Sequence, residues 1–225
     1  MRFFFISIIS HFSYFRIHFK YNSVDRKDFW ENVYESKSLE EVGWYQPKPL
    51  HSLDLIQSLD LETDDAIIDI GGGDSLLSDN LMELGYLDIS VLDISLEAIN
   101  KAKMRHGSTS KIQWIQSDIT DFTPKKKYKL WHDRAAFHFL TDPTDQVKYI
   151  ETCENSLESG SYLIIGTFSK TGPEKCSGIP IVQHSIEDLK VKFSKSFKYL
   201  KGLNVDHITP SGNKQNFTFC IFKKI

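Results

Sequence analysis

Four aspartates, Asp69, Asp93, Asp118 and Asp133, each stand at the end of a short apolar run. The first run, Ala66-Ile67-Ile68-Asp69-Ile70, continues into Gly71-Gly72-Gly73. Three glycines let the chain turn sharply and let a ligand lie against bare main chain. A helix following such a turn directs its first N–H groups into the same space. The expected guest is nucleotide-like or carries a carboxylate. Asp93 follows about 20 residues later, the spacing at which an acid accepts hydrogen bonds from both hydroxyls of a ribose. The same residue would equally serve to cap a helix starting at Ser95 or Leu96. The fourth run ends in His132-Asp133-Arg134, with His138 just beyond. His138 has the side-chain type that takes up a proton near neutral pH. The alternative is a structural Asp–Arg pair and a hydrogen-bonded histidine.

These residues need a scaffold that brings strand ends together. Apolar runs too short for helices alternate with helical patterns. Leu50, Leu53, Leu55, Ile56 and Leu59 precede the glycine strand, and Leu76, Leu77, Leu81 and Leu84 follow it. Ala98, Ile99 and Ala102 lead from the second strand to Gly107, and Thr141-Asp142-Pro143 starts a helix that runs to Gly160. Strand and helix in alternation give a parallel α/β sheet, and such sheets bind ligands at the carboxyl ends of their strands. A fifth strand, 162–168, is followed by a Gly/Pro-punctuated loop from Ser169 to Pro180, where substrate specificity is expected to reside. Cys176 in that loop is read as a bystander. Ser185 with Asp188 three residues on forms a capping-box start. Two last strands surround Pro210-Ser211-Gly212. Trp44-Tyr45, in a proline-rich loop, is expected either to cover a ligand or to plug the N-terminal helix onto the sheet.

The chain has 225 residues, is 40% hydrophobic and 25% charged, and carries a net charge of -3. That suits one globular α/β domain and gives no basic surface for a nucleic-acid partner. Its three cysteines form no metal-binding or disulfide pattern, so a reducing, cytoplasmic setting and no metal are expected. Residues 1–27 read as a poorly ordered extension, with the domain proper at 28–225. The extension has no acid before Asp25, so organelle targeting stays open. Its apolar run is too short to span a membrane. Nothing sets an oligomeric state.

Two nucleotide-binding families compete for the glycine loop. The dinucleotide fingerprint G-x-G-x-x-G is missed at Leu76. Asp69-Ile70-Gly71-Gly72-Gly73-Asp74-Ser75 resembles the first motif of class I S-adenosylmethionine (SAM)-dependent methyltransferases instead. Ser117-Asp118-Ile119 resembles that family's adenine motif, and the terminal hairpin is similar too. The resemblance, which covers 28–225, implies a doubly wound, mostly parallel seven-stranded sheet of order 3-2-1-4-5-7-6, with the last strand antiparallel and helices on both faces. It implies SAM as cofactor. Asp69, Gly71, Gly72 and Gly73 would hold its methionine part, Asp93 with Ile94 its ribose, and Asp118 with Ile119 its adenine, under Trp44 and Tyr45. At the fourth strand, Asp133 would steer the acceptor or the cofactor amine, and His138 would accept a proton. Asp74 must point outward, or it would repel the methionine carboxylate. The chain lacks the Asn/Asp-Pro-Pro-Tyr and Pro-Cys motifs of enzymes acting on adenine or glutamine amides and on cytosine. The acceptor implied is a small molecule or a protein side chain such as Lys. A non-catalytic SAM-binding sensor or scaffold is the alternative, with an NAD-dependent reductase as a third, weaker one.

Overall fold

The structure, a computed structural model, describes residues 23–107 and 110–225. Its main sheet has seven strands: β1 (Ile67–Ile70), β2 (Ile89–Asp93), β3 (Gln113–Gln116), β4 (Tyr128–Arg134), β5 (Leu157–Phe168), β6 (Phe197–Ile208) and β7 (Lys214–Lys224). They lie in the order β3-β2-β1-β4-β5-β7-β6. The first five run parallel, and β7 is antiparallel to both β5 and β6. This is the expected topology. Six α-helices accompany it: α1 (Ser23–Ser36), α2 (Leu50–Gln57), α3 (Leu77–Glu83), α4 (Leu96–His106), α5 (Pro143–Ser156) and α6 (Ile186–Phe193).

Side chains alternate across the central strands because the strand period is two. Ile67, Leu130 and Ile164 face one way, with Leu53 and Ile56 of α2 and Leu77 and Leu81 of α3. Ile68, Trp131, Leu163 and Ile165 face the other way, with Tyr149 and Cys153 of α5 and Leu189 and Phe193 of α6. Both faces of the central strands are therefore covered, which is why apolar side chains on β1 and β4 point to either side of the sheet.

Register places the chemistry. Asp69 lies opposite His132 on β4, and Ile70 opposite Leu92 on β2 and Asp133 on β4. Asp93 is thus level with the start of the glycine loop, whose Gly71 N–H donates to Leu92 O at 2.7 Å.

Several boundaries differ from the sequence reading. α1 begins at Ser23, ahead of the boundary at Asp28, and residues 1–22 of the expected extension lie outside the described residues. α5 stops at Ser156 rather than reaching Gly160, and β5 starts at the next residue. Gly160 sits inside β5 with φ +86°, in an irregular stretch where pairing with β4 jumps from Leu157–Tyr128 to Tyr162–Leu130. That positive φ reads like a helix stop in sequence, and the helix patterning runs on to it. The third strand is shorter than read, so Asp118 stands two residues past its end. In the loop after β5, Lys175–Cys176 and Ile179–Pro180 pair as a small antiparallel ribbon. Its turn residues Ser177 and Gly178 have φ of 50° and 83°, the left-handed values that tight two-residue hairpins use. No helix among the described residues is long and apolar enough to cross a membrane.

Candidate active site

The carboxyl ends of β1 to β4 open into a cavity of about 880 Å³, counting the open space at its mouth. Gly71, Asp93, Ile94, Asp118 and Ile119 line it from the sheet, and Trp44 from the loop before α2. A smaller neighbour is lined by Asp69, Gly71, Gly72, Ser75, Trp44 and Tyr45. Trp44, Gly71 and Arg134 border both. Asp69, Gly71, Gly72, Asp93, Ile94, Asp118, Ile119, Trp44 and Tyr45 thus line these two adjoining cavities.

The glycine loop is tight because its surroundings leave no room for side chains. Gly71 and Gly73 have φ of +65° and +44°. A Cβ on Gly71 would lie 2.7 Å from the Ala136 methyl, and one on Gly73 2.7 Å from both Asp93 Oδ2 and the Tyr34 hydroxyl. On Gly72 it would collide with the Asp69 carboxylate. Gly73 lines neither cavity and backs the loop against Asp93. Asp74 points away from the loop to Arg105, which also holds Asp79 and donates to Ser75 O at 3.0 Å. Asp74 is therefore paired with Arg105 and lines neither cavity.

Each acid has its own partners. Asp69 accepts from His132 Nδ1 at 2.7 Å, and His132 Nε2 meets Ser52 Oγ of α2 at 2.9 Å, all buried. Asp93 accepts the Ser95 N–H at 2.8 Å. Ser95, not Asp93, is the N-cap of α4, with its hydroxyl accepting from Ala98 N–H. Burial, opposed by that N–H and aided by the charges of Asp69 and Glu31, pushes the Asp93 carboxyl up to about 7. Asp118 takes Nε and Nη2 of Arg26 on Oδ2, and the Thr120 N–H and hydroxyl on Oδ1. A carboxylate offers about four lone-pair positions, so Asp118 is fully engaged here.

Asp133 and His138 do not reach either cavity. Asp133 is fully buried and accepts from Ala136 N–H, Phe137 N–H and the Tyr149 hydroxyl. It closes the turn after β4 and does not pair with Arg134. Burial raises its carboxyl to about 6, against those donors. His138 is also buried, and its Nδ1 accepts the Phe168 N–H at 3.3 Å. Desolvation drops its pKa to about 3, so it stays neutral. Ala135, between the two, has φ +72°, a strained value for a residue with a Cβ.

The sequence reading missed α1 as a wall of the site. Arg26, Trp30 and Tyr34 of α1 line the larger cavity. Trp30 packs edge-on against Trp44 at 5.8 Å and Phe139 at 4.9 Å. Trp44 thus plugs α1 onto the sheet and faces the cavity at once. The Trp30–Tyr34 spacing marks one helix face, but starting the domain at Asp28 left Arg26 out. The helix is tethered at three points. Arg26 reaches Asp118 and Asp145, Glu31 accepts from Leu96 and Glu97 N–H at the start of α4, and Lys101 of α4 donates to Tyr34 O and Lys37 O. Cys176 also lines the cavity, a thiol that burial pushes up to about 11 and so keeps neutral.

In comparison with known proteins, residues 61–219 match the family described as "Methyltransferase domain". A malonyl-[acyl-carrier protein] O-methyltransferase of Ilyobacter polytropus is 27% identical over 145 residues, 60% of this chain and 55% of that protein. The eEF1A lysine and N-terminal methyltransferase of Mus musculus is 25% identical over 143 residues, 62% of this chain and 20% of that protein. The chain spans about half the length, or less, of these curated relatives. The N-methyltransferase NodS from Bradyrhizobium japonicum, solved with S-adenosyl-L-homocysteine, shares the fold at a TM-score of 0.67. It is 17% identical, and the match covers 86% of this chain and 97% of that one.

Two outcomes follow from these contacts. Tyr149→Phe strips a donor from Asp133 and the acceptor of Trp131 Nε1–H. It should cost about 1–3 kcal/mol in urea unfolding. The deficit should be larger at pH 8, where Asp133 is ionised, than at pH 5, and an equal deficit would separate Asp133 from Tyr149. Arg26→Leu should speed hydrogen exchange of α1 amides severalfold while leaving β1 and β4 protected. Unchanged exchange would show that the ion pairs do not hold the helix.

Proposed function

The chain belongs to the methyltransferase-domain family that matches residues 61–219, and on that premise we propose that it moves a methyl group from SAM to a small-molecule or protein side-chain acceptor. The observation that carries this reading is the larger cavity, where Asp93, Ile94 and Ile119 converge beside a glycine loop that excludes every Cβ. Those residues fit a nucleoside with an amino-acid tail. Ionised Asp93 accepts from the ribose hydroxyls, Ile94 and Ile119 pack on the base, and Gly71 and Gly72 admit the tail beside Asp69. An adenine amino group reaches Asp118 once Arg26 or Thr120 releases a lone pair.

Bound there, SAM supplies an electrophilic methyl group together with its leaving group. The chain's own task is to align the acceptor and exclude water. Trp30, Trp44, Phe139, Phe168 and Phe217 give the cavity apolar walls. With Asp133 and His138 outside both linings, the reading assigns neither as a general base. The acceptor presents a free lone pair or loses its proton to solvent.

Calorimetry with S-adenosylhomocysteine tests the reading. Wild type should bind, and Asp93→Ala should weaken binding by at least about tenfold, roughly 1.4 kcal/mol. Asp93 accepts from the hydroxyls only when ionised, so affinity should fall as pH drops below about 7, by up to about tenfold per unit. Asp93→Asn should flatten that dependence. Folded wild type that binds no S-adenosylhomocysteine would sink the assignment.

A further inference from the structure

Arg134, the last residue of β4, has no job in the reading above, yet it stands at the junction of the two cavities. Its Nη1 donates to Trp44 O at 3.0 Å, and its guanidinium lies 5.1 Å from the centre of the Phe217 ring. Its Nη2 is shielded from solvent and has no hydrogen-bond partner. Burial lowers its pKa to about 10, which still leaves it charged at neutral pH. A buried guanidinium donor without an acceptor is costly, and an oxyanion is the group that satisfies it best.

The neighbouring acids give Nη2 no hydrogen bond. Arg26, the other arginine of the lining, is matched by Asp118 and Asp145. Asp69 accepts from His132 Nδ1. Asp93 is raised close to neutrality, and the Cys176 thiol is neutral. SAM itself brings a sulfonium, an ammonium and one carboxylate, a net positive charge. An anionic acceptor would give Nη2 its missing partner and would offset the charge of the sulfonium beside it.

We propose that Arg134 receives an anionic oxygen group of the methyl acceptor, so that the substrate is a carboxylate or a comparable oxyanion. This rests on the methyltransferase reading and narrows it. Nη2 and the flat face toward Phe217 suit a planar carboxylate. A lysine ammonium would meet like charge from both the sulfonium and Arg134, so a protein lysine is the disfavoured acceptor. Its contacts come from Trp44 and from Phe217 of β7, away from Asp93 and Asp118, and the rival partner is the cofactor's own carboxylate in the smaller cavity.

The test has two arms, on wild type, Arg134→Met and Arg134→Lys, each checked for an unchanged near-ultraviolet dichroism spectrum. In the first, calorimetry compares S-adenosylhomocysteine with 5′-methylthioadenosine, which lacks the carboxylate. Affinity for both should stay within about threefold of wild type in Arg134→Met. A loss of about thirtyfold for S-adenosylhomocysteine alone would assign Arg134 to the cofactor's carboxylate and overturn the proposal. In the second, benzoate is titrated into each protein saturated with S-adenosylhomocysteine. Wild type should bind it at least about tenfold tighter than Arg134→Met, with Arg134→Lys between, since it keeps the charge and loses the fork. Equal or absent binding would overturn the proposal. If wild type fails to bind S-adenosylhomocysteine, the methyltransferase reading falls first, and benzoate titration of the free protein still reads Arg134 on its own.

Discussion

Four carboxylates at the carboxyl ends of adjacent parallel strands must each find donors before the sheet can be covered. A buried carboxylate left alone is either neutralised or destabilising. The molecule answers each acid from a different element. Asp69 is met by His132 and, through it, Ser52 of α2. Asp93 is met by the backbone at the start of α4, Asp118 by Arg26 of α1, and Asp133 by Tyr149 of α5. The covering helices are therefore positioned by polar contacts as well as by their apolar faces. Asp93 has the Ser95 N–H as its partner and also faces the cavity.

The same demand separates acids that look alike in sequence. Asp93 and Asp133 both close apolar strands, and burial raises both. Asp133 has two backbone N–H groups and a phenol around it and no open side. Asp93 has one backbone hydrogen bond of that kind and a cavity. A residue's place at a strand end says where its Cα sits. Which neighbours surround its carboxylate is decided by long-range packing.

That distinction marks what was legible in the chain. The alternation of strands and helices and the glycine loop were readable in local patterns, while the strand order and the grouping of Asp69, Asp93, Asp118 and Ile119 came from the resemblance to a known family. Asp74's direction was left open by the sequence, and its pairing with Arg105 decides it. The roles of Asp133 and His138 were not, since their burial depends on Tyr149 and Phe168, which come from other elements. Arg26 was missed because its partners, Asp118 and Asp145, are remote in sequence. Gly160 misled for the opposite reason, a local signal overruled by strand pairing. Arg134 was visible as a residue type, but only the missing partner of its buried Nη2 gives it meaning.

The tethers of α1 have a consequence for how the molecule responds to its solution. Arg26, Glu31 and Lys101 attach the helix through charges at partly buried or exposed positions. The sheet beneath is held by Ile, Leu and Phe side chains shielded from solvent. Ionic strength screens the first kind of attachment and leaves the second unscreened. Salt therefore acts on the two layers unequally, loosening the α1 wall of the cavity before it touches the strands that form the floor. Access to the cavity becomes a property the surrounding electrolyte can set while the fold stays as it is.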